Sequence, residues 1–244
     1  GIANQVNTAV SGFVNNFMTA LNPQITKSYA TGDNHYMMTL VYQGARLSFY
    51  MLLFLSLPIL LNTHYILVLW LKLIPEHTVS FVQLTLTFAM CESISYPLIT
   101  AMLATGNIRN YQLVVGGLQL FNLPVSYALL RVGFIPETVL IVAIVISQLC
   151  LLARLIMLRS IIHLSFWQFI KKVYFNITIV AVLASIVPLF ISFYVKETFG
   201  SFLLISIVAV LCSSLSIYFV GCTKEERHKI NLQVIKIRHK IMYQ

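Results

Sequence analysis

Apolar stretches of about twenty residues recur along the chain, and short runs holding the charges and helix breakers separate them. Seven stretches read as membrane spans, at approximately 2–21, 40–61, 79–105, 111–132, 138–158, 174–194 and 201–219. Between them fall Asn22-Pro23, Gly32-Asp33, Pro75-Glu76, Gly106-Asn107, Gly133 to Pro136, and Lys196 to Gly200, all of which carry turn-forming residues. The pattern predicts an all-α fold. Residues 1–222 form a polytopic transmembrane helix bundle of about seven spans, and residues 223–244 form a basic amphipathic cytoplasmic tail. In that tail Ile230, Val234, Ile237 and Ile241 recur at helical spacing among basic residues. A second surface-lying helix is expected at 161–172, where aromatic residues run into Lys171 and Lys172. Asn62 to Thr78 is read as the longest connection on the outer side.

Polar positions inside the spans carry most of the information, because polar groups in a bilayer are expensive. In the first span Asn4, Thr8, Ser11, Asn15, Thr19 and Asn22 share an arc of roughly 80° on a helix of 3.6 residues per turn. Such a stripe either hydrogen-bonds across helix interfaces or lines a hydrated cavity through which polar cargo moves. In the third span Glu92 is the one acidic residue at mid-membrane depth, and Thr85, Tyr96 and Thr100 lie on its side of the helix. It reads as a proton or cation site, as a contact to a polar headgroup, or as a neutral acid bonded to another helix. Pro97, Pro124 and Pro188 each remove a backbone donor and are expected to kink or break their helices. Asn122 is placed to cap carbonyls freed by Pro124, and Gln148 to bridge helices; Arg154 and Arg159 are expected to snorkel to the headgroups.

Composition agrees with this pattern. Of 244 residues, 59% are hydrophobic and 9% charged, where soluble domains carry about 25% charged residues. The net charge of +9 reads as topology. Alternate connections hold Lys27, Arg46, Arg109, Arg154, Arg159, Lys171, Lys172, Lys224, Arg227, Lys229, Lys236, Arg238 and Lys240 on one side. The other side holds Lys72, Arg131 and Lys196, and the two sets make up the sixteen lysines and arginines. The basic side is expected to be cytoplasmic, with the C-terminus on it. No folded basic domain accompanies the tail, so nucleic acid is not an expected partner.

Enzyme chemistry is not legible. There are no paired carboxylates, no nucleophile elbow, no phosphate loop and no metal-ligand spacing. No catalytic residue, metal or cofactor is assigned. Cys91, Cys150, Cys212 and Cys222 stand singly and read as small core residues, and the histidines fall in connections, in the tail or at a span start. Asn176-Ile177-Thr178 matches a glycosylation sequon but lies inside a span. The chain begins at Gly1 in mid-helix with no basic region before it. It therefore reads as lacking a signal peptide and as a piece of something longer.

Several segments carry a resemblance. Residues Asn22-Pro23-Gln24-Ile25-Thr26-Lys27-Ser28-Tyr29-Ala30-Thr31-Gly32-Asp33 follow a polar-striped span, and Ala101 to Tyr111, Leu123 to Leu130, Leu164 to Phe169 and Lys224-Glu225-Glu226-Arg227 follow in order. Together they resemble bacterial polysaccharide (O-antigen-type) repeat-unit flippases. These belong to the multidrug/oligosaccharidyl-lipid/polysaccharide exporter superfamily, and the likeness is to the C-terminal half. The resemblance implies two bundles around a central cavity, of which this chain is most of the second, in a bacterial inner membrane. It implies export of an undecaprenyl-pyrophosphate-linked oligosaccharide for lipopolysaccharide or related surface-polysaccharide biosynthesis. Membrane lipid surrounds the assembly, and a proton or sodium ion is the coupling ion. Under this expectation the stripe residues, Glu92 and Tyr96 line the cavity, and Arg46, Arg109 and Arg154 meet pyrophosphate. Two alternatives are a cation-coupled multidrug extruder and, from another class, a membrane-embedded polysaccharide polymerase or ligase. The first should place more carboxylates in its cavity, and the second needs a large outer loop with catalytic Arg or His.

Overall fold

The computed structural model describes residues 1–71, 73–228 and 231–232. It is 87% helical, with no strand among the described residues. The molecule is an all-α polytopic bundle. Its helices are α1 (Ile2–Ala30), α2 (Asn34–Leu61), α3 (Thr63–Leu71), α4 (Thr78–Ser93), α5 (Tyr96–Ala104), α6 (Ile108–Leu120), α7 (Asn122–Val132), α8 (Thr138–Ile162), α9 (Phe166–Phe169), α10 (Phe175–Tyr194) and α11 (Phe199–Ser216). A π-turn at Ile170–Tyr174 fuses α9 to α10, and another at Ile217–Gly221 extends α11.

Six helical segments are long and apolar enough to cross a membrane: Asn34–Leu61, Thr78–Ala104, Ile108–Val132, Thr138–Ile162, Phe166–Tyr194 and Phe199–Gly221. The seventh expected span, α1, has 29 residues, about 43 Å at 1.5 Å per residue. It has the length but not the apolarity, and its polar face is the reason.

Helix α2 is the central post. Fourteen of its residues are buried, among them Leu40, Val41, Ala45, Leu52 and Leu53, and α1, α4, α5, α10 and α11 pack on it. On one flank α8 joins α4 and α5 and carries α6 and α7 on its far side; on the other, α10 and α11 pack as a pair. Outward faces of α7, α10 and α11 are exposed and apolar, as at Leu123, Tyr127, Val182, Phe190, Ile207 and Leu211. That is the surface a lipid-facing helix presents. Closest packing occurs at Gly44, where an added Cβ would lie 2.9 Å from the Pro97 ring and would also strike Leu21. Glycine there lets α1, α2 and α5 meet.

Proline acts differently at each site. Pro97 sits in the first turn of α5, just after the break at Ile94-Ser95 that separates it from α4. Pro124 lies in the first turn of α7, after the break at Phe121. At those positions the missing N–H costs nothing, because a first-turn donor has no intrahelical partner. Pro188 remains inside an unbroken α10. Asn122 does not cap the freed carbonyls; its Oδ1 accepts from Ser126 Oγ at 3.1 Å.

Three expected boundaries are corrected. The first helix does not stop at Asn22-Pro23 but runs through Pro23 to Ala30; Pro23 is exposed, so its ring meets no neighbouring helix. The segment 161–172 is no separate surface helix. Its first two residues end α8, His163 reverses the chain at φ 56, and Ser165 then caps the helix that continues into α10. The connection from Asn62 to Thr78 contains α3, whose Leu69 and Trp70 are exposed. The tail beyond Leu232, with Val234, Ile237 and Ile241, lies outside the described residues, as do Lys72, Lys229 and Ile230.

Candidate functional site

Helix α1 is two-faced. Val10, Val14, Met18, Leu21 and Ile25 are buried against the bundle. On the other side Asn4, Thr8, Asn15 and Thr19 are exposed and Ser11 and Asn22 are half-buried; the neighbouring Gln5 and Asn16, which the stripe did not include, are exposed as well. The hydroxyls turn back onto their own helix. Thr8 Oγ1 donates to the Asn4 carbonyl at 2.9 Å, Thr19 Oγ1 to the Asn15 carbonyl at 2.9 Å, and Ser11 Oγ to Asn7 Oδ1 at 3.0 Å. The side-chain amides of Asn4 and Asn15 have no partner among the described residues.

Four amides inside the helices behave otherwise. Gln148 Nε2 donates to the Cys91 carbonyl and its Oε1 accepts from the Tyr174 hydroxyl, so it bridges helices as expected. Asn176 accepts from the Tyr50 hydroxyl and donates to the Val220 carbonyl at 3.4 Å. Gln83 Nε2 reaches the Leu60 carbonyl at 3.2 Å. Asn22, the last stripe residue, accepts from Thr100 Oγ1 at 2.7 Å and so ties α1 to α5. The stripe therefore divides: Asn22 is interhelical glue, while the face from Asn4 to Thr19 is left open.

Two cavities lie along α4, and the first of them touches the N-terminal end of α1. The first, about 500 Å³, lies between the N-terminal ends of α1 and α4 and is lined by Asn4, Asn7, Thr78, Thr85 and Phe88. The second, about 180 Å³, is walled by Phe88 too and holds Glu92, Asn122, Ser147 and Arg154. Phe88 is the partition between them. A polar track thus follows one side of α4 from the end of α1 toward the middle of the bundle.

Arg154 corrects its expectation. It does not snorkel: it is 5% exposed, Nη1 donates to Ser95 Oγ at 3.1 Å, and Nε donates to the Tyr111 hydroxyl at 3.3 Å. Its guanidinium carbon lies 5.9 Å from the Tyr111 ring centre. The break between α4 and α5 makes this possible by presenting Ser95 to α8. Glu92 shares the cavity with Arg154 without forming a direct ion pair among the described residues. Tyr96 is half-buried one turn further on. The spacing Ser147, Cys150, Arg154 on α8 was the available signal, since i, i+3 and i+7 put these residues on one face.

The two other arginines separate. Arg109 is exposed at the start of α6. Arg46 is not a free anion contact: its Nη2 lies 2.6 Å from Glu226 Oε1, with both side chains mostly buried. Glu226 Oε2 in turn accepts from the Thr223 amide at 2.7 Å, so Arg46 holds the start of the tail against α2. At the opposite end of the bundle two histidines have acidic partners. His64 Nδ1 lies 2.7 Å from Glu197 Oε2, and His77 Nδ1 lies 2.7 Å from Glu137 Oε1. Glu137, at the entry to α8, has its carboxyl held below the usual carboxylate range by its own backbone amide and then by His77, against the opposing effect of burial.

All four cysteines are free, and no metal-holding cluster of His, Cys, Asp or Glu occurs among the described residues. Compared with protein-family models, curated proteins and solved structures, the chain matches none. Its architecture alone places it. It is a multi-pass membrane protein.

Proposed function

We propose that this protein moves a polar, lipid-linked cargo across the membrane. The cargo class that the sequence resemblance favours is an undecaprenyl-pyrophosphate-linked oligosaccharide flipped to the outer leaflet of a bacterial inner membrane. One observation carries the reading: the face of α1 from Asn4 to Thr19 stays largely unburied, while Gln148, Asn176 and Gln83 are each taken up by a neighbouring helix. Acyl chains offer an amide no hydrogen bond, so such a face needs water, cargo or protein opposite it. Sugar hydroxyls are donors and acceptors at once and match carboxamides in both roles.

The track beside α4 extends the polar surface inward. At its inner end Arg154 offers charge-assisted donors for a phosphate oxygen, and Glu92 supplies an acidic group for a coupling proton or sodium ion. Both act within one cavity, so cargo charge and coupling ion would sense each other. A polymerase or ligase is disfavoured because the outer connection between α2 and α4 is largely taken up by α3, with His64 and His77 already on Glu197 and Glu137.

The test is to replace Asn4 and Asn15 by Leu and Thr8 and Thr19 by Val in the natural full-length protein, leaving Asn22 intact. Surface polysaccharide should fall by roughly an order of magnitude or more, since each lost hydrogen-bond partner is worth about 1 kcal/mol. Membrane abundance should hold. Export at the unaltered level would reject the assignment, and a selective change in drug accumulation would favour the extruder instead.

A further inference from the structure

A second polar cavity, separate from α1, opens at the lysine- and arginine-rich end of the bundle. Its volume is about 420 Å³. Thr39, Tyr42, Gln43 and Arg46 supply one wall from successive turns of α2. Lys172, from the π-turn leading into α10, and Lys224, from the start of the tail, supply the others. Three chain segments far apart in sequence thus bring three cations together. The acidic residue in the lining is Glu225; Glu226 is engaged by Arg46.

The charges are held in different ways. Arg46 is buried and committed to Glu226, so it supplies background potential and fixes the tail. Lys172 and Lys224 are exposed and have no acidic partner among the described residues. The Lys172 ammonium lies 5.4 Å from the Tyr42 ring centre, which keeps its stem folded over the cavity. The Tyr42 hydroxyl is buried with no hydrogen-bond partner among the described residues. Two lysines without an acidic partner among the described residues therefore face a cavity whose lining holds one carboxylate, Glu225.

We infer that this cavity binds the phosphate of an anionic phospholipid headgroup, with Lys172 and Lys224 as its contacts. Phosphate chemistry suits the donors, since lysine ammonium groups bind its oxygens as point charges. A lipid is favoured over a soluble phosphate by position. The cavity lies where α2 and α10 leave the apolar layer, and exposed Phe175 and Phe219 follow within about one turn on the membrane side of Lys172 and Thr223. A headgroup there leaves its acyl chains beside apolar surface. The inference is independent of the transport reading, because none of these residues lies on the α1 face or its track.

Native mass spectrometry of the full chain, released from detergent with phosphatidylglycerol or phosphatidylcholine added, reads the site. The wild type should retain phosphatidylglycerol in preference to phosphatidylcholine. Lys172→Gln with Lys224→Gln should weaken that retention roughly thirtyfold, as expected for two lysines near a lipid phosphate. Lys27→Gln with Lys171→Gln, which removes the same charge outside the cavity, should leave it unchanged. Equal retention by the Lys172/Lys224 variant would overturn the inference, as would an equal loss in the control variant. Complete displacement by millimolar inorganic phosphate would reassign the cavity to a soluble anion and reject the lipid. All substituted lysines are exposed, so folding does not confound the comparison.

Discussion

Single residues in this chain are informative where their hydrogen bonds end. Asn22, Gln148 and Asn176 all sit in membrane helices and all reach another helix. Asn4 and Asn15 are the same kind of side chain with no such neighbour, and that difference separates structural amides from candidate functional ones. Glu137 shows how local geometry sets charge: its own amide and His77 stabilise the carboxylate. Because its folded-state pKa lies below the ordinary value, its contribution to stability is complete above that value and is lost as pH falls through the lower one. Glu137→Gln should lower stability at neutral pH, where that contribution is complete, and flatten the acid limb of the stability curve below about pH 4. Thermal unfolding in detergent across that range would show it, and an unchanged acid limb would remove Glu137 from the account.

Among elements, α1, α2 and α5 cross closely, and Gly44 makes it possible. Gly44→Ala would push a methyl group into the Pro97 ring, which cannot move aside as a longer side chain would, and into Leu21. Overpacking of this kind costs about 1–3 kcal/mol. A chemical-denaturation midpoint in mixed micelles should drop accordingly, and an unshifted midpoint would mean that α1 is more loosely seated than described. The same crossing orients α1: with Val14, Met18 and Ile25 locked inward, the amide face has only the outward direction left. The break between α4 and α5 has a comparable consequence at its own level, because it turns Ser95 toward Arg154 and pulls a guanidinium into the bundle.

For the molecule as a whole, the charges are asymmetric. Lys171, Lys172, Lys224 and Arg227 cluster at one end, while the His64–Glu197 and His77–Glu137 pairs mark the other. Retention of positive charge on the cytoplasmic side predicts that the first end faces the cytoplasm. In intact cells a membrane-impermeant thiol reagent should label Glu197→Cys, and Lys224→Cys should react only after permeabilisation. The reverse labelling would invert the molecule.

The seven-span organisation, the all-α class and the two-faced character of α1 were all legible in the chain. Each follows from periodicity and from the cost of polar groups in lipid, and both are local properties. Gln148 was legible as a bridge for the same reason: an amide in mid-span needs a partner. What the sequence could not assign was which partner a polar side chain finds. Arg46 looked free until the fold brought Glu226 to it across the length of the chain. Arg154 looked like a snorkelling residue until a break in another helix offered Ser95 and Tyr111. Spacing along one helix determines which residues share a face, but only the packing of several helices determines what that face meets.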